Sequence, residues 1–203
     1  ISSLSSLEII NLEGNQFSGS IPSEIGKLSE LRSLNLARNY LNGNVAPDII
    51  SRSCQNLTHV HLDRNFLSGP IPSSIGYCTN LQSLTLSSNM FSGPIPDEIG
   101  RLKKLRVLDI SQNSLSGSIP IQLTNCTQLS LLMLTSGETG KPCNNRSSFI
   151  NQKGEFNCFS TIPTFLIGLP SLQILWAPLA TMGGGVLPSI WGRKLQVVNV
   201  AGN

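Results

Sequence analysis

The sequence predicts an α/β-type solenoid, a right-handed superhelix in which each coil adds one short strand to a parallel concave sheet. The main observation is a repeated block that ends in asparagine, and its successive Asn positions differ by 24, 26, 24 and 24 residues. Those positions are Asn15, Asn39, Asn65, Asn89 and Asn113. A fixed period in this range is typical of chains in which each coil contacts only its neighbours, so we expect an open surface rather than an enclosed cleft.

Each block places branched apolar residues at the same offsets before its Asn, as in Leu81, Leu84, Leu86 and Asn89. The Leu-x-Leu pair predicts a strand with these side chains turned inward and the intervening residues on the concave face. The Asn side chain can both donate and accept hydrogen bonds, so it can satisfy the backbone of the following turn. This pattern with this period is the signature of leucine-rich repeats.

A second constant segment follows four of the five Asn residues and reads Ser-Gly-x-Ile-Pro, as in Ser92–Pro96 and Ser116–Pro120. Gly permits turns that other residues avoid, and Pro fixes φ without donating a hydrogen bond. We therefore expect loops or 3-10 helices on the convex side. An apolar residue two positions after each Asn is predicted to form an inward spine: Phe17, Leu41, Leu67, Phe91 and Leu115.

The Leu-x-Gly-x-Ile-Pro segment resembles the plant-specific class of leucine-rich repeats, found in receptor-like kinase ectodomains, receptor-like proteins and polygalacturonase inhibitors. The resemblance implies a non-enzymatic, extracellular recognition domain on the outer side of the plasma membrane, with a Ser/Thr kinase outside this chain. Its partner would be a secreted peptide or a co-receptor ectodomain in developmental signalling. The alternative is a secreted inhibitor, similar to the polygalacturonase inhibitors, that binds a wall-degrading enzyme.

An irregular stretch interrupts the sixth repeat, where Gly137 stands in place of the ladder Asn and the next repeat starts only at Leu172. The sequence thus predicts repeats over 1–137, an insertion over 138–162 and repeats over 163–203, with the Asn ladder broken at the insertion. The chain opens and closes within the pattern, so we expect a fragment of a longer ectodomain without its caps.

The insertion resembles the island domain of plant receptor kinases, which implies that it folds over the concave face and helps to form a ligand site. A tolerated surface loop is the alternative. The segment from Leu172 to Thr181 resembles the Toadstool subgroup of these kinases.

The five cysteines fall into two groups. Cys54, Cys78 and Cys126 each lie three residues before the first Leu of a repeat, and we expect buried free thiols there. Cys143 and Cys158 lie in the irregular stretch, and we expect them to form a disulfide in an oxidising compartment.

Outward positions on the strands change from polar to apolar near the insertion. Met133, Ile174 and Trp176 form an apolar group there, which indicates either an interaction site or a surface covered by Phe149, Ile150 and Phe156 of the insertion. If the group is a site, a peptide is expected to lie across it and the polar residues beside it. The predicted ligand-binding residues are Thr85, Asp109, Ser111, Met133, Ile174 and Trp176.

Other chemistry finds little support in the sequence. His59, His61 and Asp63 share one face of a strand, but no fourth ligand has a matching spacing, so we expect neither a metal nor a cofactor. Charged residues make up 12% of the chain and the net charge is +3, which argues against nucleic-acid binding. No apolar run reaches the roughly 18 residues of a membrane span. Three sequons predict glycosylation at Asn56, Asn125 and Asn145.

Overall fold

The structure is a computed structural model that describes residues 4, 6–51, 54–134, 157–159, 163–177 and 191–200. It confirms the predicted solenoid, since the coils stack two parallel sheets side by side. The concave sheet has eight strands: β1 (Ile9–Asn11), β3 (Ser33–Asn35), β5 (His59–His61), β7 (Ser83–Thr85), β9 (Val107–Asp109), β11 (Leu131–Met133), β13 (Ile174–Trp176) and β14 (Val197–Asn199). The second sheet has six: β2 (Ser18–Gly19), β4 (Tyr40–Asn44), β6 (Phe66–Gly69), β8 (Met90–Gly93), β10 (Ser114–Gly117) and β12 (Cys158–Phe159).

Short helices form the convex side of the described coils, and each described 3-10 helix begins directly after a Pro. Five are 3-10 helices: Ser23–Lys27, Ser73–Tyr77, Asp97–Arg101, Ile121–Asn125 and Thr164–Leu166. The α-helix α1 (Pro47–Ser51) lies in the one block whose Asn spacing is 26. Neighbouring helices approach so closely that a Cβ on Gly76 would lie 2.6 Å from Cβ of Glu98. Glycine at this position therefore allows the coils to stack tightly.

The core is a continuous column of inward side chains, and the central Leu or Val of each strand from β3 to β13 in the concave sheet is almost fully buried. The predicted spine is confirmed for Leu41, Leu67, Phe91 and Leu115, which are all buried. The prediction is wrong for Phe17, whose side chain is 49% exposed. Phe17 precedes β2, an edge strand that pairs only with β4, so no second coil covers it.

The ladder asparagines are buried and join each coil to the one before it. The Nδ2 of Asn113 donates to Ile110 O at 3.2 Å in its own coil and to Leu86 O at 3.0 Å in the preceding coil. Its Oδ1 accepts the Phe91 N–H at 3.0 Å. Asn39, Asn65 and Asn89 repeat this arrangement. Each ladder Asn thus satisfies backbone groups that would otherwise be buried without partners.

The predicted break in the Asn ladder is wrong on the N-terminal side of the insertion. Gly137 has no side-chain amide, and Asn157 takes the ladder position of this coil instead. Asn157 Oδ1 accepts the Leu115 N–H at 3.0 Å, and its Nδ2 lies 2.7 Å from Ile110 O and 3.4 Å from Leu134 O. β12 then pairs with β10, and Phe159 is buried in the spine. Residues 157–159, which the sequence placed inside the insertion, therefore occupy repeat positions.

The prediction of free thiols at Cys54 and Cys78 is also wrong, since these two residues form a disulfide. They occupy equivalent positions on adjacent coils, and their Cα atoms are 4.3 Å apart. The inward stacking that was expected to keep them as separate core fillers instead brings both sulfur atoms together. Leu102 takes the equivalent position between Cys78 and Cys126, so Cys126 has no cysteine in the coil before it. Cys126 is buried and free, as predicted.

Replacing Asn157 with Ala should lower the free energy of unfolding by about 2 kcal/mol or more, because buried backbone groups on two coils lose their partners. Urea unfolding followed by circular dichroism would measure this. Asn15→Ala is the matched control, since Asn15 is an exposed ladder residue whose Nδ2 bonds only Leu12 and Glu13 of its own coil. Equal losses for the two variants would show that Asn157 does not act as a ladder residue.

Non-reducing proteolysis should yield one cross-linked peptide pair that contains Cys54 and Cys78. Reduction should destabilise the protein by about 3 kcal/mol, the chain-entropy value for a loop of this length. Cys126 should react with iodoacetamide only after unfolding, because burial raises the pKa of its thiol from 9.0 to about 11. A cross-linked peptide that contains Cys126 would contradict this assignment.

Candidate functional site

The concave sheet presents two rows of outward side chains, because alternate residues of each strand point away from the core. The N-terminal row takes the first residue of each strand: Ile9, Ser33, His59, Ser83, Val107, Leu131, Ile174 and Val197. The C-terminal row takes the third: Asn11, Asn35, His61, Thr85, Asp109, Met133, Trp176 and Asn199. Parallel register without offsets keeps both rows straight across the coils.

Four of the predicted ligand-binding residues are direct neighbours in the C-terminal row. Thr85 pairs with Asp109, Asp109 with Met133, and Met133 with Trp176. Ile174 lies in the N-terminal row beside Leu131. The structure therefore brings these five residues together on one open surface of strands β7 to β13.

The sixth predicted residue, Ser111, does not present its side chain for binding. Ser111 is buried, and its hydroxyl and its backbone N–H both donate to Asp109 Oδ1, at 2.6 Å and 3.0 Å. Ser111 therefore orients the Asp109 carboxylate. The Thr85 hydroxyl is likewise engaged, since it donates to Asp63 Oδ1 at 2.8 Å.

Trp176 is the large apolar member of the row, and 37% of its surface is exposed. Met133 and Ile174 beside it are half-buried. Phe149, Ile150 and Phe156, which were expected to pack on this group, lie outside the described residues, as do Cys143, Asn145 and Ala180. The side chain of Cys158 is not among those described, so the predicted disulfide between Cys143 and Cys158 stays a prediction.

The two histidines of β5 stand edge to face, with ring centroids 6.0 Å apart. His61 Nε2 lies 3.0 Å from Ser83 Oγ, and His59 Nδ1 lies 2.9 Å from Thr58 Oγ1. Burial lowers the pKa of His61, and His59 adds to this effect while Asp63 and Glu13 oppose it. In the described parts of the chain, no three His, Cys, Asp or Glu side chains form a group that could hold a metal ion.

The two sequons within the described residues differ in their surroundings. Asn125 is exposed at the end of its 3-10 helix. Asn56 is half-buried, and its Nδ2 donates to Ser29 O at 2.8 Å. Glycosylation at Asn56 and Asn125 stays a prediction, and Asn125 offers the freer amide. Across the described ranges, no helix is long and apolar enough to cross a membrane.

A polar cleft of about 340 Å³ lies at the N-terminal edge of β9, β11 and β13. Two cations, two amides and two hydroxyls line it: Arg106, Lys194, Gln128, Gln173, Ser130 and Ser171. The sequence analysis missed this basic cleft. The sequence feature that could have indicated this cleft is the residue directly after the first Leu of each block. That position holds Arg106, Ser130 and Gln173 in successive coils.

Comparison with known proteins agrees with this architecture. The sequence matches the Leucine rich repeat family over residues 55–115 and again over residues 6–28. It is 42% identical over 69 residues to Phytosulfokine receptor 1 of Arabidopsis thaliana, a match that covers 33% of this chain and 7% of that protein. A receptor protein kinase-like protein of the same plant is 40% identical over 68 residues, which cover 34% of this chain and 9% of that protein.

The chain is a leucine-rich-repeat solenoid that is similar to plant receptor-kinase ectodomains. The solved structure of PEPR1 with AtPEP1 superimposes with a TM-score of 0.77 at 30% identity, covering 97% of this chain and 25% of PEPR1. The Arabidopsis receptor kinase HAESA, solved with the peptide hormone IDA and the co-receptor SERK1, gives 0.73 at 30% identity, covering 89% of this chain and 27% of HAESA. This leucine-rich-repeat chain therefore spans about a quarter of those solved relatives.

The lowered pKa of His61 gives the solenoid a pH-dependent stability. The unfolded chain binds the proton more readily, so stability should fall as pH drops below the ordinary His value of 6.5 toward the lower folded pKa. NMR titration of the His61 ring protons would locate that pKa, and His61→Gln should flatten the pH dependence. Asp63→Asn should lower the pKa further, since Asp63 favours the charged ring. A His61 pKa above 6.5 would contradict this account.

Proposed function

We propose that this region is the extracellular ligand-recognition domain of a plant leucine-rich-repeat receptor-like kinase. It binds a secreted peptide or a co-receptor ectodomain through the concave face, in developmental signalling. The observation that carries the proposal is the in-register group Asp109, Met133 and Trp176, in which Met133 lies between an exposed aromatic side chain and a carboxylate on an open sheet. Such a surface suits an extended peptide lying across several strands.

The solved relatives support this class of ligand. HAESA is solved with a peptide hormone and a co-receptor, and the plant peptide hormone receptor RGFR1 is solved in complex with RGF2. A chain of the solved BIR3–SERK2 complex from Arabidopsis thaliana is also similar to this chain. These relatives support a peptide or an ectodomain as the partner rather than a wall-degrading enzyme.

The ends of the insertion support a role for it at this surface. Leu134 directly follows Met133 of β11, and Asn157 bonds the Leu134 carbonyl in the same coil. The described chain before the insertion therefore ends at Leu134, at the C-terminal end of β11 beside the proposed site, and resumes at Asn157 in the same coil. We propose that the segment between these two residues is the island insertion, and the likeness of Leu172–Thr181 to the Toadstool subgroup supports that assignment.

The proposed compartment is the extracellular side of the plasma membrane. A disulfide between Cys54 and Cys78 is typical of proteins that fold in an oxidising compartment. The receptor-kinase relatives are far longer than the matched segments, and we propose that a membrane anchor and a Ser/Thr kinase lie outside this chain.

Trp176→Ala should weaken binding of a cognate peptide by at least about 1 kcal/mol, because a buried aromatic anchor supplies much of the energy of such interfaces. Thermal stability should fall only modestly, since the side chain is 37% exposed in the free protein. Peptides that bind the 203-residue chain would first be selected from a displayed random library, and these peptides would serve as ligands. Calorimetric titration would compare their affinities for the two proteins.

Trp191→Ala is the matched control, since Trp191 is the other tryptophan and is 46% exposed outside the concave strands. It should leave peptide binding unchanged. The assignment of Trp176 to the site is contradicted if Trp176→Ala mainly unfolds the protein while the folded fraction binds normally. It is equally contradicted if both tryptophan variants bind alike.

A further inference from the structure

The basic cleft carries positive charge that no described acidic group balances. Arg106 and Lys194 form no ion pair with a described residue, and the described residues after Asp109 include no Asp or Glu. Asp109 itself lies on the C-terminal row, where Ser111 bonds its carboxylate. The N-terminal edge of the last four strands is therefore an unneutralised cationic surface.

The same position looks different in an early coil. Arg32 stands where Arg106 stands, directly after the first Leu of its block, and its Nε lies 3.2 Å from Glu8 Oε2. Arg32 thus has its counter-ion within the solenoid, whereas Arg106 does not. An external carboxylate could supply to Arg106 what Glu8 supplies to Arg32.

An apolar row runs directly beside the basic cleft. Val107, Leu131, Ile174 and Val197 are successive partners in the N-terminal row, and none is fully buried. Three of the early coils place Ser33, His59 and Ser83 in that row instead. In the early coils Ile9 is the single apolar member of the row, whereas the later coils of the described sheet place four apolar side chains in succession beside the cations.

We propose that the basic cleft and this apolar row bind an acidic segment of a partner polypeptide. Its carboxylates lie against Arg106 and Lys194, where Gln128, Gln173 and Ser171 add neutral donors, and its apolar side chains cover the row. The apolar row favours a polypeptide over an acidic polysaccharide or free phosphate, neither of which carries apolar side chains. The choice of a polypeptide rests on the proposed function, but the binding residues are separate from Trp176.

The test uses an acetylated, amidated peptide of alternating Leu and Glu, with the Leu and Gln version as its neutral counterpart. Titration of the whole chain should show binding of the Glu peptide only. Arg106→Gln and Lys194→Gln should each weaken it about 1.5-fold to fivefold, the range for an exposed ion pair. Raising the ionic strength from about 0.05 M to 0.3 M should weaken it further, since exposed charges are screened.

Arg32→Gln is the matched control, because it removes the same charge at the same position of another coil and should not change the affinity. The proposal is overturned if the Glu peptide does not bind, if the Gln peptide binds equally well, or if Arg32→Gln weakens binding as much as Arg106→Gln. Trigalacturonate and inorganic sulfate serve as competitors. Displacement of the peptide by either one at equal concentration would assign the cleft to simple anions or polysaccharide. If the Glu peptide does not bind but Trp176→Ala still weakens binding of the selected peptides, the proposed function stands and only the acidic-segment proposal is overturned.

Discussion

The hydrogen bonds of the ladder asparagines are the interaction on which the rest of this structure depends. Each amide satisfies carbonyls in its own coil and in the previous coil, and accepts an N–H from that previous coil. Buried backbone groups without partners cost about 1–3 kcal/mol each, so a coil that shifted along its axis would lose several such bonds at once. The ladder therefore holds the strands in register, and that register is what makes straight rows on the concave face.

The ladder also explains how the solenoid tolerates a long interruption. The sixth coil needs a side-chain amide that bonds its backbone at the ladder position. Asn157 supplies this amide although it lies 23 residues after Leu134 in the sequence. The entropic cost of closing a loop grows slowly with loop length, so extra residues between these two points add little to it. Asn157 and Phe159 then restore the ladder and the spine together. An insertion between a strand and its ladder residue can thus be placed beside the recognition face without disturbing the core.

The fold could be predicted from the sequence because the period and the offsets of Leu and Asn each demand the same coil. Most of the features that the sequence did not indicate depend on contacts between coils. Predicting the Cys54–Cys78 disulfide required the distance between equivalent positions on adjacent coils. Predicting the role of Asn157 required the point at which the chain returns to the solenoid. Ser111 was predicted to face a ligand from its alternation alone, but its hydroxyl turns to Asp109. The basic cleft is built from several coils, so no single block of the sequence displays it.

Hydrogen bonding divides the concave face into two parts with different capacities for recognition. In the early coils the outward polar groups already bond one another, as in Arg32 with Glu8, His61 with Ser83 and Thr85 with Asp63. A ligand that displaced these bonds would gain little, because each new bond would replace an existing one. In the later coils, Trp176 is partly exposed and Arg106 lacks a described counter-ion. Binding energy is available where surface groups are not yet satisfied, and both proposed recognition surfaces lie on the coils that flank the insertion.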